Sequence, residues 1–166
     1  MLVRRARRDE AGDIAELWSE LVAYHNELDS ALPRPTIDGP DRYAYLIMDR
    51  IGRDDSAVLV AIDDGGVVVG YALGIVIDTV PETFLSRRAG LLADIYVQPH
   101  ARRNGYGQAL VRAMMDWCEA LELPALEWEV AAANETGRAF WRAVHGRELM
   151  IRMRMNLEGG QHDNGN

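Results

Sequence analysis

The chain has 166 residues, the size of a single domain and long enough to bury roughly two-thirds of its unfolded surface. Its 48% hydrophobic and 27% charged residues are those of an ordinary globular protein, and its longest apolar stretch, residues 67–77, is too short to cross a bilayer. A formal net charge of −8 excludes a general nucleic-acid surface, and the single cysteine, Cys118, excludes an internal disulfide and a cysteine metal cage, so a reducing cytoplasm is the expected compartment.

Met1 to Asp9 is basic but runs into Glu10, Gly12 and Asp13 instead of an apolar stretch, which is not the pattern of a signal peptide. Leu2 to Arg7 reads as a short extended segment, and Asp9 or Asp13 can cap the helix that follows. In that helix Ile14, Leu17, Trp18, Leu21, Tyr24, His25 and Leu28 recur at helical spacing; it should end near Leu28, because Pro33 and Pro35 cannot continue it. A second helix is expected between Asp38 and Arg53, with Tyr43, Leu46, Ile47 and Ile51 turned inward. Ser56–Ile62 and Val67–Ile77 are β-branched runs joined by Asp63-Asp64-Gly65-Gly66, whose Asp-Gly step supplies the positive φ of a hairpin. A polar connection from Thr79 to Gly90 leads to a strand over Leu91–Val97. A helix follows from Gly105 to about Leu121, with Leu110, Met114, Trp117 and Leu121 on one stripe. Ala125–Val130 is the next strand, Asn134 caps a helix through Val144, and Leu149–Met155 alternates as a final strand. This order defines an α/β layered domain with a mixed sheet over residues 1–157; the Gly- and Asn-rich tail, 158–166, is expected to be disordered.

The informative stretch runs from Asp94 to Leu110 as strand, turn, glycine pair and helix. A helix N-terminus exposes unpaired N–H groups and partial positive charge, which suits a pyrophosphate, and Gly105 and Gly107 let backbone approach it without Cβ interference. Two common nucleotide signatures fail here: the third glycine of the dinucleotide fingerprint is replaced by Leu110, and no Gly-Lys-Ser/Thr follows.

Val97-x-Pro99-x-x-Arg102-x-x-Gly105-x-Gly107 resembles the acetyl-CoA signature of the GNAT superfamily of N-acetyltransferases. Asn134-x-x-Gly137-x-x-Phe140-Trp141 resembles the second motif of the same superfamily. The resemblance implies a twisted, mostly antiparallel sheet with splayed strands flanked by about four helices. It implies acetyl-CoA as co-substrate: Arg102 opens the turn and the backbone N–H groups of Arg103, Asn104, Gly105, Tyr106, Gly107 and Gln108 hold the pyrophosphate. The backbone of Ile95, Tyr96 and Val97 would pair with the pantetheine amides as an added strand would. Asn134 would contact the pantetheine arm, with Trp141 near the thioester, and the N–H of Val97 would hold the oxyanion if the strand carries the family's bulge. Arg138 and Arg142, one turn apart, either reach ligand phosphates or form a solvated face.

An amine acceptor has a pKa near ~10 and must lose a proton before it attacks a thioester. Asp94 and Tyr96 alternate onto one face of their strand, which makes Asp94 the first candidate base or ammonium-binding group; Glu127 and Glu129, on a face of the neighbouring strand, are the second. Two positions depart from the family pattern. Trp141 stands where many members carry a tyrosine that protonates the leaving thiolate, and Val144-His145-Gly146 places the helix-ending glycine one residue late. Loss of a thiol of pKa near ~8.5 as thiolate at pH 7 costs roughly 2 kcal/mol, so transfer without a dedicated acid, or with an acid from another element, is expected. Cys118 lies on a buried stripe and is expected to be inert.

The acceptor pocket is expected beside the first two helices, where Tyr24, His25 and Asp29 close the first helix and a carboxylate could hold a cationic amine. No metal is expected, since His25, His100, His145 and His162 lack ligand spacing. The leading reading is an N-acetyltransferase for a small amine, polyamine, amino acid or aminoglycoside-like compound, with no nucleic-acid or membrane partner. A homodimer is common among proteins of this resemblance. A protein or peptide N-terminal acetyltransferase and a non-catalytic acyl-CoA-binding module are the alternatives.

Overall fold

A five-stranded sheet in the order β1-β2-β3-β4-β5 forms the middle layer of the computed structural model, which describes residues 1–78, 83 and 88–156. The tail expected over 158–166 and much of the expected 79–90 connection lie outside the described residues. The elements are β1 (Leu2–Arg5), α1 (Ala11–Leu28), α2 (Gly39–Arg50), β2 (Ser56–Ile62), β3 (Val68–Asp78), β4 (Arg88–Val97), α3 (Tyr106–Ala120), β5 (Leu126–Glu127) and α4 (Glu135–Ala143). The first four strands pair antiparallel and β4 pairs parallel to β5.

β2 is buried at every position because helices cover both faces of the sheet, which is why Ser56–Ile62 is continuously small or apolar instead of alternating. On one face α1 and α2 pack Ile14, Leu17, Tyr43 and Ile47 against Tyr71, Leu73 and Tyr96. On the other, α3 packs Leu110, Met114 and Trp117 against Ala72 and Leu92. α3 sits very close to the sheet: a Cβ at Gly90 would lie 2.5 Å from Cys118 Sγ, and one at Gly74 would strike Met114 and the Trp117 ring. Cys118 is accordingly buried, and burial pushes its thiol up, as an inert cysteine requires.

The register of β3 with β4 slips between Leu73 and Gly74, which face Asp94 and Leu92 and leave Ala93 as an extra residue. Side chains two apart on a regular strand share a face. The bulge breaks that rule, so Leu92 joins the α3 core while Asp94 turns with Tyr96 toward α1 and α2.

Several expectations are corrected. α1 is not capped by Asp9 or Asp13; the Glu10 carboxylate reaches back to accept the Arg7 N–H at 2.8 Å while the Arg4 guanidinium grips it at 2.6 and 2.9 Å. Leu46 is 40% exposed, because the inward face of α2 is taken by Tyr43 and Ile47. In the hairpin the positive φ falls on Gly66, while the Asp63 carboxylate accepts the N–H groups of Gly65 and Val67. β4 begins at Arg88, three residues early, and β5 shrinks to Leu126–Glu127. Leu149–Met155 forms no strand, and the edge strand β5 of the described sheet is only two residues long. Exposed ion pairs lie at and before the segment, Arg152 to Glu129 at 2.9 Å and Glu148 to Arg138 at 2.9 Å.

Candidate active site

Gln98 N–H donates to Val69 C=O at 2.9 Å, and the register pairs Val97 with Gly70 and Ile95 with Ala72. In an antiparallel ladder this alternation turns the N–H and C=O groups of Ile95 and Val97 away from β3. β5 meets β4 only at Gly90 and Leu91, so the seam between the two strands is open beside Ile95 and Val97. The Val97 carbonyl accepts Arg102 Nε at 2.9 Å, which leaves its N–H facing the seam. The bulge lies at Ala93, four residues before Val97.

Beyond β4 a 3-10 turn at Pro99–Ala101 leads into alternating backbone: Arg103 has φ 64° and Gly105 φ 86°, and α3 starts at Tyr106. Such a turn directs successive N–H groups into one concavity, and the first N–H groups of α3 have no partner within the helix. Asn104 and Gln108 flank this cradle by sequence. A Cβ on Gly107 would touch only the Phe140 ring, at 3.4 Å, so the fold itself does not demand glycine there.

α4 completes the cleft. Asn134 is its N-cap, accepting Gly137 N–H at 2.8 Å and the Tyr24 hydroxyl at 3.2 Å; a Cβ on Gly137 would crowd Asn134 Nδ2 at 2.6 Å. Trp141 is buried, with its ring 4.4 Å from Trp128 and 5.0 Å from Phe140 between centroids. The indole is thus part of the core on the α3 side of the sheet. His145 adopts the left-handed conformation itself, φ 67°, while Gly146 is needed for closeness, since a Cβ there would lie 2.6 Å from the Trp128 ring. Arg138 and Arg142 both pair with Glu148, which favours the solvated-face reading over phosphate contact.

On the opposite face of β4, Asp94 Oδ2 accepts the Tyr43 hydroxyl at 2.8 Å, and the Tyr43 and Tyr71 oxygens lie 3.4 Å apart. Burial raises the Asp94 carboxyl above its ordinary range, opposed by the Tyr43 hydrogen bond and the nearby His25 charge. Burial likewise lowers His25, against the pull of Asp94. Tyr43, pushed far above the usual tyrosine range by burial, stays a phenol and so a donor to Asp94. Tyr96 donates to Glu20 Oε2 at 3.1 Å, and Gln98 Nε2 donates to the other oxygen at 2.8 Å. A groove of about 330 Å³ opens at that carboxylate, with Asp13, Glu16 and Glu20 on its wall. The Arg102 guanidinium lies 5.5 Å from the ring centroids of both Tyr24 and Tyr96.

The structure therefore brings Asp94, His25, Tyr24, Tyr96 and Asn134 together around β4. It does not bring in Asp29, which lies past the last helical residue with φ −154° and bonds its own loop at Ala31 N–H, 2.9 Å. Nor does it bring in Glu129, an exposed carboxylate paired with Arg152. Tyr43 and Glu20 were missed as site residues. Tyr43 was legible as an inward position, but its hydroxyl partner depends on the bulge; Glu20 carried no signal apart from its place on α1.

An open strand edge, a glycine-bearing turn at a helix N-terminus and a carboxylate on the reverse face of the same strand define an α/β domain organised around β4. A family model described as the Acetyltransferase (GNAT) family matches residues 18–146. The chain belongs to the GNAT family. It is 30% identical over 134 residues to the L-2,4-diaminobutyric acid acetyltransferase of Halomonas elongata, an alignment covering 78% of this chain and 66% of that relative, slightly under two-thirds of its length. Among solved structures, a variant of the BH1408 protein of Bacillus halodurans superposes with a TM-score of 0.83 at 21% identity, covering 95% of this chain and 99% of that one. The aminoglycoside N-acetyltransferase AAC(6')-Iy, solved in complex with CoA, superposes with a TM-score of 0.71 at 16% identity, covering 95% and 94%. These neighbours share the fold.

Proposed function

We propose that this chain is an acetyl-CoA-dependent N-acetyltransferase that acetylates the primary amine of a small cationic molecule. The observation that carries the reading is the arrangement about β4: its open edge at Ile95 and Val97 leads into the Arg102–Gln108 cradle, while Asp94 faces the α1–α2 side from the same strand. The cradle fits a pyrophosphate because Gly107 leaves approach room that the fold does not use. Asn134, Gly137 and Phe140 border the same cleft, and Trp141 supports it from the core. Acetyl-CoA supplies the activated acetyl group; the chain's own residues bind it, orient it and handle protons.

Asp94 holds or deprotonates the ammonium. Its raised pKa makes it a better proton acceptor than an exposed carboxylate, and His25 lies close enough to interact with it electrostatically. Tyr96 acts as a fixed wall tied to Glu20. The names of the Halomonas relative and the aminoglycoside-modifying neighbour favour a cationic acceptor such as a diamino acid or polyamine. We further propose that residues 1–157 act as one domain, in the cytoplasm, without a metal. The exposed alternation of Ile151, Met153 and Met155 favours a homodimer.

Thiol release from acetyl-CoA, measured with diamino acids, polyamines, aminoglycosides and peptide N-termini, tests the reading. Release that depends on a small amine supports it. Release only with peptides moves the chain to the N-terminal acetyltransferases, and tight CoA binding without release on any amine makes it a binding module.

A further inference from the structure

The leaving thiolate lacks an obvious proton source. Trp141 occupies the position where the family resemblance expects a tyrosine, and it is buried against Trp128 with no hydroxyl to offer. The sequence contains six tyrosines. Tyr43 is committed to Asp94, Tyr71 is fully buried beside it, and Tyr96 is committed to Glu20. Tyr106 is buried in the α3 core and Tyr45 is 70% exposed on α2. Tyr24 remains, and its placement is different in kind: it rises from α1, on the acceptor side, and its hydroxyl crosses to the N-cap of α4 at Asn134.

We propose that Tyr24 is the proton donor to the departing CoA thiolate, an inference that rests on the acetyltransferase reading above. Its ring lies over the Arg102 guanidinium, and Arg102 is anchored to the Val97 carbonyl at the open edge of β4. The hydroxyl is thereby held between the two walls of the cleft that would receive the pantetheine arm. Its bond to Asn134 Oδ1, at 3.2 Å, is long for an O–H donor and is readily exchanged for a stronger acceptor. In the step, the amine lone pair forms the C–N bond and the C–S bond breaks with its electron pair on sulfur. The Tyr24 O–H proton moves to that sulfur, giving the free thiol. The proton lost from nitrogen leaves through Asp94, and the Tyr24 phenolate regains a proton from water.

The size of the effect follows from the leaving group: departure of sulfur as thiolate instead of thiol costs roughly 30-fold at pH 7 for a thiol of pKa near ~8.5, and the cost falls away for a thiol acidic enough to leave as thiolate. Tyr24→Phe keeps the ring on Arg102 and removes only the oxygen. Single-turnover acetyl transfer by this variant is expected to be about 30-fold slower with acetyl-CoA, with unchanged CoA affinity by calorimetry and an unchanged melting curve, and nearly as fast as the parent with the acetyl thioester of a nitrothiophenol, whose thiolate needs no proton to depart. Tyr24→Leu, which also removes the ring, is expected to show the same dependence on the leaving thiol. Equal rates with acetyl-CoA, a deficit as large with the nitrothiophenyl ester, or a deficit matched by lost CoA affinity overturns the proposal and leaves Tyr24 a support for Asn134. No turnover by the unaltered protein overturns the transferase reading along with it, whereas turnover with an unaffected Tyr24→Phe overturns this inference alone.

Discussion

Gly107→Ala separates what the fold needs from what the ligand needs. The added methyl would meet the Phe140 ring at 3.4 Å, ordinary van der Waals contact, and Gly107 is the second residue of α3 with no positive φ to preserve. Alanine is favoured over glycine in a helix by up to about 1 kcal/mol, less near the end, so the variant is expected to be as stable as the parent or slightly more so. For a domain of this length that is a melting temperature raised by no more than about 3 °C. The same methyl narrows the gap between the first turn of α3 and α4, through which the pyrophosphate would approach. A loss of CoA affinity of about 10-fold, or ~1.4 kcal/mol, is expected. Differential scanning calorimetry and isothermal titration with CoA measure the two effects on one preparation. Undiminished CoA affinity would refute the cradle, and a large fall in melting temperature would refute the claim that the fold leaves that space unused.

The pH behaviour of two carboxylates gives further tests. Because folding raises the Asp94 pKa, its stabilising contribution is present below the ordinary carboxylate pKa and is lost as pH rises through the raised value. Asp94→Asn, which cannot ionise and can still accept from Tyr43, is expected to match or exceed the parent in stability at pH 7 while losing most turnover; melting curves and steady-state rates check the pair of effects. Glu10 has the opposite sign: its bond to Arg4 depresses its pKa, so its contribution is present above about 4.5 and is lost as pH falls through the folded value. Glu10→Gln should therefore melt earlier than the parent at pH 7, with the gap closing below the carboxylate range. His145→Gly should stabilise by about 1 kcal/mol, since His145 adopts φ 67° and non-glycine residues pay for that region; a denaturant midpoint that stays put would contradict it.

Features set by residues close in sequence are legible in it, and those set by distant contacts are not. Ser56–Ile62 and the ends of α1 and α4 were readable because apolar runs, prolines and an Asn cap act within a few residues. The cradle was readable for the same reason, as turn, glycine and helix are contiguous. Leu149–Met155 misled because alternation describes a strand's faces and cannot supply its partner. Asp94 was picked out correctly as facing with Tyr96, yet the bulge at Ala93 that detaches it from Leu92 leaves no mark in composition. His25 and Asp29 shared a face only on the assumption that the helix continued through both. The contact between Tyr24 and Asn134 spans 110 positions and had no sequence signal at all.

Mass spectrometry of the amine after incubation with acetyl-CoA and the purified protein reads N-acetylation itself. An amine acetylated on nitrogen in step with the free CoA released is expected, with much slower formation by Asp94→Asn. Free CoA accumulating without acetylated amine, or acetylated amine forming equally fast with Asp94→Asn, would contradict N-acetyl transfer assisted by Asp94.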